Sequence, residues 1–351
     1  YTVHYFYDGI EDLTKLETKE AEFEEEILTY SDKNKPGYKL EKAKALDDSG
    51  VEGELPLIIK TDIDKNVINI YYVKDEFEYT VHYFYDGIED TNLIEKSKAT
   101  YQDIITTYTD KNKTGYALEK TEHLPLQITE KSENNVINIY YKTQYKITTD
   151  VIEHTEKYKD GTVKENVKGG SISGEDLDSY ENVFKGESSA KDIIIKPDDG
   201  YEIETIIIKD GKDKETGTSL DIDSLKDENG NIKLNASNGY FTGMSSDKHI
   251  DVKFRKKSNV IVKYLEKGTN KVLAEEVEII GYEGKTYETA SKPVEYYNSV
   301  GVTYEDNTPF DETVDNKMFA DTTTIIYWYE KVKSDIVVKH IEIDEKEIKD
   351  G

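Results

Sequence analysis

The chain has 351 residues, of which 74 are acidic and 46 basic, and its formal net charge is −28 at pH 7. Such a charge repels nucleic acids and anionic membranes, so neither is an expected partner. The sequence has no cysteine, which excludes disulfides, thiolate metal sites and cysteine nucleophiles. No apolar run approaches the ~20 residues of a membrane-spanning helix, so we expect no membrane insertion within this segment.

A long internal repeat organises the sequence. Residues 79–90 are identical to residues 1–12, and self-similarity over a long period indicates tandem modules. We interpret the chain as an interior piece of a longer protein, because it opens on a strand and stops inside a repeat. Five segments are predicted, namely module 1 (1–76), module 2 (77–143), module 3 (144–257), module 4 (258–333) and the beginning of a further repeat (334–351).

The first strand of module 1 is predicted over residues 1–7, which are aromatic and β-branched and end at an Asp-Gly turn. Comparison of the opening strands places Val3 and Tyr5 on one face, and His4 on the face that carries Lys263 in module 4. Because side chains alternate across a strand, His4 is expected to face solvent.

A short helix is predicted next, within residues 19–30, because Phe23, Ile27 and Tyr30 are spaced to form one apolar stripe. Module 2 repeats the pattern over residues 101–108, although a charged loop remains the alternative. Both modules close on the same strand sequence, Val-Ile-Asn-Ile-Tyr-Tyr. The residues therefore predict a mainly β fold with short helices (α+β), in which one helix crosses each small sheet.

Modules 3 and 4 are also predicted to be small half-buried sheets. Module 3 has alternating strands at both ends and a polar insertion over residues 210–231. Module 4 opens with the strand 260–265, turns at Gly268, and ends in residues 322–329, which hold the single tryptophan of the chain, Trp328.

Module 4 resembles the mucin-binding protein (MucBP) repeat of Gram-positive bacterial surface adhesins. The resemblance lies in its opening strand, the turn at Gly268, residues 281–287 (Gly-Tyr-Glu-Gly-Lys-Thr-Tyr) and the closing strand 325–329. Modules 1 and 2 resemble a divergent branch of the same family through residues 3–9 and the closing Val-Ile-Asn-Ile-Tyr-Tyr, but they lack the stretch found at 281–287. Module 3 is more weakly similar to β-repeats that accompany such modules, through residues 197–201 and 250–254. The resemblance implies tandem ubiquitin-like β-grasp modules in an elongated array, secretion, anchoring to the cell wall, and adhesion to host mucin or another glycoprotein.

Exposed aromatic side chains are the candidate ligand contacts, because rings at a wet face can stack on sugars. The alternative is that these rings only fill thin sheets and module junctions. The negative charge favours neutral glycans or protein ligands over sialylated ones. The candidate ligand-binding residues are Phe6, Tyr7, Phe84, Tyr85 and Trp328.

No catalytic centre, cofactor or metal site is expected, so we predict that the chain is not an enzyme. We also predict that it is a monomer. The acidic residues within 221–231 do not have the spacing of a calcium loop, and residues 227–231 fit a hairpin turn. Ser245, Ser246, Asp247 and His249 are adjacent in sequence, whereas a catalytic triad is assembled from different elements. An internal Lys–Asn isopeptide or Thr–Gln ester crosslink is a further alternative, but unmodified side chains are favoured.

Two functions follow from this reading. The chain is predicted to be a segment of a cell-wall-anchored surface adhesin that binds host glycans. The alternative is a passive stalk that presents a distal binding domain. The junctions at residues 74–77 and 331–334 contain no Gly or Pro, which favours a semi-rigid stalk.

Overall fold

The computed structural model describes residues 1–336, Val338 and Lys339. The predicted mainly β character is confirmed, since strands dominate and the α-helix of the described residues is a single turn. The chain forms two compact units, Tyr1–Gln144 and Tyr145–Gly351. The predicted further repeat at residues 334–351 lies largely outside the described residues.

Module 1 is a mixed sheet whose first and last strands are parallel neighbours. The strands are β1 (Thr2–Tyr7), β2 (Ile10–Glu11), β3 (Glu17–Thr18), β4 (Glu26–Ile27), β5 (Tyr38–Leu46), β6 (Glu52–Gly53), β7 (Leu57–Ile58) and β8 (Val67–Lys74). Their order in the sheet is β2-β1-β8-β5-β6, with β5 antiparallel to β8, while β4 and β7 form a separate pair. A 3₁₀ helix at Ile63–Lys65 precedes the last strand.

Module 2 repeats this arrangement. Its strands are β9 (Glu76–Tyr85), β10 (Ile88–Glu89), β11 (Glu95–Thr100), β12 (Ile104–Ile105), β13 (Tyr116–Glu122), β14 (Leu126–Gln127) and β15 (Val136–Ile152). Strand β9 is parallel to β15 and β13 is antiparallel to it, while β12 and β14 form a separate pair. Short 3₁₀ helices lie at Thr91–Leu93 and Ser132–Asn134.

Module 3 is larger and contains the one-turn helix α1 (Ile222–Leu225) and a 3₁₀ helix at Ala236–Asn238. Its strands are the end of β15, β16 (His154–Lys157), β17 (Val163–Val167), β18 (Gly170–Ile172), β19 (Glu181–Phe184), β20 (Ile193–Pro197), β21 (Tyr201–Lys209), β22 (Thr218–Ser219), β23 (Ile232–Leu234) and the first half of β24 (Lys248–Glu266). Strand β24 is parallel to β15 and antiparallel to β21.

Module 4 uses the second half of β24 as its first strand. The other strands are β25 (Val272–Tyr282), β26 (Tyr297–Tyr304) and β27 (Thr323–Lys331). Strand β27 is parallel to β24, whereas β25 and β26 are antiparallel to their neighbours β24 and β27. The first and last strands of the module are therefore again parallel neighbours.

Each module contributes its own hydrophobic cluster. The predicted facing of the first strand is confirmed, because Val3 and Tyr5 are fully buried and His4 lies on the opposite, partly exposed face. The hydroxyls of buried tyrosines form hydrogen bonds with backbone groups at the edge of the core. The Tyr5 hydroxyl, for example, donates to the carbonyl of Ser31 at 2.8 Å. The many tyrosines thus give thin cores both apolar volume and satisfied polar ends.

The predicted helix in module 1 is wrong, and so is its counterpart in module 2. Phe23 is 61% exposed, and Ile27 enters the core from the short strand β4. Glu24 and its counterpart Gln102 both adopt left-handed backbone conformations, with φ of 70° and 69°. The amide of Glu24 bonds to the carbonyl of Ile59, so this backbone is satisfied by another segment and not by helical bonds. The β-grasp fold, whose helix this segment was expected to supply, stays a prediction.

Candidate functional site: the Trp328 groove

The outer face of the sheet carries the same row of positions in modules 1, 2 and 4. In each module, an aromatic residue of the last strand occupies the centre of the row. On one side it pairs with a residue of the first strand. On the other side it pairs with a residue of the neighbouring antiparallel strand, just past a β-bulge. The three rows are Phe6–Tyr71–Lys42, Phe84–Tyr140–Lys120 and Leu265–Trp328–Gly301.

In module 1 the aromatic ring of this row is covered on both sides. Phe6 stacks on Tyr71 with ring centroids 4.9 Å apart. Lys42 places its Nζ 4.7 Å from the centroid of the Tyr71 ring, and the Tyr71 hydroxyl donates to Glu52. Burial, together with the hydrogen bond to Glu52, raises the pKa of Tyr71 to about 12. This ring is therefore engaged by its own module.

Module 2 repeats the covered arrangement with the same residue types. Phe84 stacks on Tyr140 at 4.7 Å, and Lys120 lies 4.7 Å from the Tyr140 centroid. The Tyr140 hydroxyl donates to Glu122 at 2.9 Å. In both repeats, therefore, the Lys–Tyr–Phe row packs the outer face of its own sheet.

In module 4 no lysine lies at the corresponding position, because glycine stands where lysine stands in the other two modules. Trp328 is half-buried, as Tyr71 and Tyr140 are, but a Cβ on Gly301 would meet no described heavy atom within 4 Å, so the space above Gly301 is open. The indole itself is held in place, since its Nε1 donates to Thr303 Oγ1 at 3.0 Å. The bulge at Gly301 leaves Val300 43% exposed at the rim.

A groove of about 440 Å³ lies over this indole, and we call it the Trp328 groove. It is lined by Lys267, Gly268, Asn270, Val300, Gly301, Val302, Thr303, Asn307 and Trp328. These nine residues, all in the described part of the chain, include no carboxylate. Their single charged side chain is Lys267, which pairs with Glu330 at 3.2 Å. The lining itself therefore carries no negative charge in a chain of net charge −28, although Glu330 lies beside Lys267.

These side chains define what the Trp328 groove can bind. An apolar aromatic floor with a few polar groups at the rim is the usual composition of a small-ligand site. The amides of Asn270 and Asn307 can donate to and accept from hydroxyl groups, while the indole can contact an apolar ring face. The arrangement suits a ligand with one apolar face and a hydroxyl-rich edge.

The sequence-predicted aromatic residues fall into two classes. Phe6, Phe84 and Trp328 lie on outer faces, where the two phenylalanines stack on tyrosines of their own modules. Tyr7 and Tyr85 are only 6% and 7% exposed and lie in the cores, which leaves almost none of their rings for a ligand. Their hydroxyls donate to backbone carbonyls, and Lys35 and Lys113 lie over their rings.

Two signals in the sequence bear on this division. Tyr7 and Tyr85 follow the alternation that buries Val3 and Tyr5, so the strand period assigns them to the core. Gly301, which opens the groove, was not among the candidate residues identified from the sequence. Its importance appears only when the strands are aligned through their bulges, which shift the pairing by one residue.

The other sequence candidates have structural roles in the described chain. The Asp227 carboxylate accepts hydrogen bonds from the backbone amides of Asn229 and Asn231 at 2.9 and 2.8 Å, as in an Asx turn. Ser246 donates to Asp210, whereas His249 is buried and bonds to Thr148 and Asp251. These adjacent residues therefore do not form a Ser–His pair.

The structure also gathers Asp150, His249 and Asp251, whose potential ligand atoms lie within 4.8 Å of one another. Lysine ammonium groups already neutralise both carboxylates: Lys212 pairs with Asp150 at 2.7 Å, and Lys209 pairs with Asp251. The cluster is therefore a network of ion pairs around a buried histidine. Within the described residues, no helix is long and apolar enough to cross a membrane.

Comparisons with known proteins give little further guidance. No family model and no curated protein matches the chain. The Bacillus anthracis TIE protein is similar over 84% of this chain and 58% of its own, with 12% identity and a TM-score of 0.20. The pilus adhesin SpaC from Lactobacillus rhamnosus GG, in its open conformation, is similar over 96% of this chain and 44% of its own, with 9% identity and a TM-score of 0.18. The chain thus spans less than two thirds of either structure, and likeness at such TM-scores does not establish a shared fold.

Proposed function

We propose that this chain is a repeat segment of a bacterial surface adhesin, with MucBP-like β-grasp modules, and that module 4 binds a glycan in the Trp328 groove. Host mucin or another glycoprotein is the proposed source of the glycan. Secretion and anchoring of the parent protein to the cell wall belong to the same proposal, which rests for these points on the sequence resemblance.

The observation that carries the binding proposal is the indole of Trp328, which lines a groove and pairs with a glycine where the other modules have a lysine. Gly301 leaves one side of the ring open, while the hydrogen bond to Thr303 fixes its orientation. A ring that is held rigidly loses little conformational entropy when a ligand stacks on it. The lining residues supply amides and a hydroxyl for sugar hydroxyl groups, and they place no carboxylate against an incoming glycan.

The junction between modules 1 and 2 favours the stalk as a second function. The Tyr101 ring lies edge-on to Tyr38 at 6.0 Å and to Phe77 at 6.2 Å. Its amide donates to the Asp75 carbonyl at 2.8 Å, and the Asp75 amide donates to the Gly37 carbonyl at 2.9 Å. An aromatic cluster closed by backbone hydrogen bonds restrains the linker, as presentation of a binding module requires.

A mucin-glycan array probed with the whole chain tests the two functions. We expect saturable binding to neutral glycans, and Trp328→Ala is expected to weaken it about 30-fold, as for a central aromatic contact. Tyr140→Ala is the matched control, because it removes the equivalent but covered ring of module 2, and it should leave binding unchanged. Absence of binding by the unaltered chain would leave the stalk as its function.

A further inference from the structure

A large aromatic ring lies bare on module 1, because the side chain of Phe23 is 61% exposed. Residues 79–90 repeat residues 1–12, and the same shift along the sequence places Tyr101 of module 2 at the position of Phe23. Tyr101 is half-buried, since it packs at the junction of modules 1 and 2. The same position is therefore covered in module 2 and bare in module 1.

The backbone next to the two rings is the same. Glu24 and Gln102, which follow the rings, have left-handed φ angles of 70° and 69°. The amide of Glu24 donates to the carbonyl of Ile59, and the amide of Gln102 donates to the carbonyl of Ile128, both at 2.9 Å. The two modules therefore carry this ring position on equivalent backbone.

A corner of module 1 covers Tyr101. It consists of Gly37, Tyr38 and the linker residues 75–77, and we call it the Gly37 corner. The Tyr101 ring lies edge-on to Tyr38 and to Phe77. Gly37 is buried, and a Cβ on it would lie 2.4 Å from the Tyr101 ring. The close approach of the ring thus requires a glycine at the corner.

Backbone pairing accompanies this ring contact. The Tyr101 amide donates to the Asp75 carbonyl at 2.8 Å. Beside it, residues 98–100 of β11 pair with residues 76–78 at the beginning of β9. The junction therefore combines a ring seated on a glycine with a short stretch of sheet.

Module 1 has the same groups without their partners. The Phe23 amide donates to no described residue. Residues 20–22, which correspond to 98–100, belong to no strand of the described chain. An unpaired backbone segment is a template for pairing with another segment. The part of module 1 that matches the covered half of the junction is therefore open.

The charge around Phe23 restricts what can cover it. Five glutamates lie close to it in sequence, namely Glu20, Glu22, Glu24, Glu25 and Glu26. Glu20 stands where module 2 has Lys98. The hydrogen bond from Lys39, with a smaller contribution from the charge of Lys98, lowers the pKa of Asp75. Because Glu20 would oppose the Asp75 charge, a corner that fits module 1 has a neutral or basic residue in that place.

We propose that Phe23 and residues 20–22 form a docking surface for the corner of another repeat module, a corner built like the Gly37 corner. The partner presents a glycine against the Phe23 ring, an aromatic residue in the place of Tyr38, and a backbone segment that pairs with residues 20–22. Its residue in the place of Asp75 is neutral or basic. The inference concerns the repeat array and does not depend on glycan binding in the Trp328 groove.

Hydrogen exchange of an extended chain tests the docking surface. The extension places residues 1–78 a second time ahead of Tyr1, so that the added copy joins Tyr1 as module 1 joins Tyr79, and Asp75→Asn in the added copy removes the opposing charge. In the unextended chain the Phe23 amide should exchange nearly as fast as in an unstructured peptide. In the extended chain its protection should come within about tenfold of that of the Tyr101 amide in the same protein.

Two controls separate docking from backbone pairing alone. An extension cut down to residues 75–78, with the same Asp75→Asn change, supplies the pairing segment without the rest of the corner and should leave the Phe23 amide unprotected. Gly37→Ala in the full added copy places a Cβ against the ring and should lower the protection about tenfold or more. Equal protection by the short extension, or an unprotected Phe23 amide beside a folded added copy, would overturn the proposal.

A variant of the unextended chain keeps the proposal testable even if the added copy does not fold. Phe23→Ser should leave the thermal unfolding of this chain unchanged, because no module yet covers the ring. Tyr101→Ser is the matched variant and should lower the unfolding temperature, since that ring is packed in a junction. If Phe23→Ser destabilised the chain as much as Tyr101→Ser does, the ring would already serve module 1 itself and the proposal would be wrong.

Discussion

Module 2 and module 4 place an aromatic ring at equivalent positions on the outer faces of their sheets, but the side chains around the two rings differ. Tyr140 lies between Phe84 and Lys120, whereas Trp328 lies between Leu265 and Gly301. An exposed cation–π contact contributes about 0.5–1 kcal/mol, and a ring stack about 0.5–1.5 kcal/mol. In module 2 these contacts make the Tyr140 ring part of the packing that stabilises the module. In module 4 the Trp328 ring lacks them and lines a groove that a ligand can enter.

The largest expected effect comes from giving module 4 the lysine of modules 1 and 2. Gly301→Lys should abolish glycan binding, a loss of about a hundredfold or more, because the side chain can lie over the indole as Lys120 lies over Tyr140. The fold should survive, since a Cβ at this position meets no described atom within 4 Å. Glycan-array binding and thermal unfolding of the same protein measure the two outcomes.

The reciprocal change sharpens the same comparison. Lys120→Gly opens one side of the Tyr140 ring, but Phe84 still covers the other, so it should not create a site of similar affinity. If Gly301→Lys bound glycans as well as the unaltered chain does, the open face of Trp328 would not be the site.

A second prediction compares two matched glycines in modules 1 and 2. Gly37 and Gly115 have the same left-handed conformation, with φ of 83° and 84°. A Cβ on Gly37 would lie 2.4 Å from the Tyr101 ring, whereas one on Gly115 would meet no described atom within 4 Å. Gly115→Ala should cost about 1–2 kcal/mol of unfolding free energy through backbone strain alone. Gly37→Ala should cost about 1–3 kcal/mol more, because it also overpacks the junction.

Denaturant unfolding of the two alanine variants measures this difference. Equal destabilisation would mean that the contact of Tyr101 with module 1 contributes nothing to the junction, and the stalk function would lose its main support.

The smallest expected effect is that of Glu17→Gln on the pH dependence of the unfolding free energy. Burial opposes ionisation of Glu17, but the ammonium groups of Lys33 and Lys19, which pair with it at 2.9 and 3.0 Å, outweigh burial and lower the pKa of Glu17 from 4.5 to about 2. A lowered pKa stabilises the fold above the ordinary value, and this stability is lost as pH falls from 4.5 towards 2. With allowance for solvent screening, Glu17→Gln should cost about 1 kcal/mol at neutral pH and much less in strong acid.

Chemical unfolding of the Glu17→Gln variant across this pH range checks the sign. A cost that grows as pH falls would contradict the assignment of Glu17 as an ionised, lysine-paired group.

Strand positions and facing could be read from the sequence because they follow local alternation, as in Val3, Tyr5 and the closing strands of modules 1 and 2. The helix prediction failed because the spacing of Phe23, Ile27 and Tyr30 fits a helix by coincidence. The backbone there turns left-handed at Glu24 and bonds to a distant segment. Helical spacing carries no information about which distant carbonyl an amide will meet.

The candidate site was only half predictable. Trp328 is conspicuous as the single tryptophan of the chain. The groove beside it, however, depends on Gly301, a residue without a side chain. Gly301 becomes informative through its cross-strand pairing with Trp328, which a bulge shifts by one residue.

The most direct test of the central claim uses the tryptophan itself. Trp328 is the only tryptophan in the sequence, so intrinsic tryptophan fluorescence of the whole chain reports on this groove alone. Titration with a neutral mucin-type oligosaccharide should shift the emission saturably, with the same affinity that calorimetry gives, and Gly301→Lys should abolish both signals. Calorimetric binding that leaves the emission of Trp328 unchanged would place the ligand elsewhere and contradict the account.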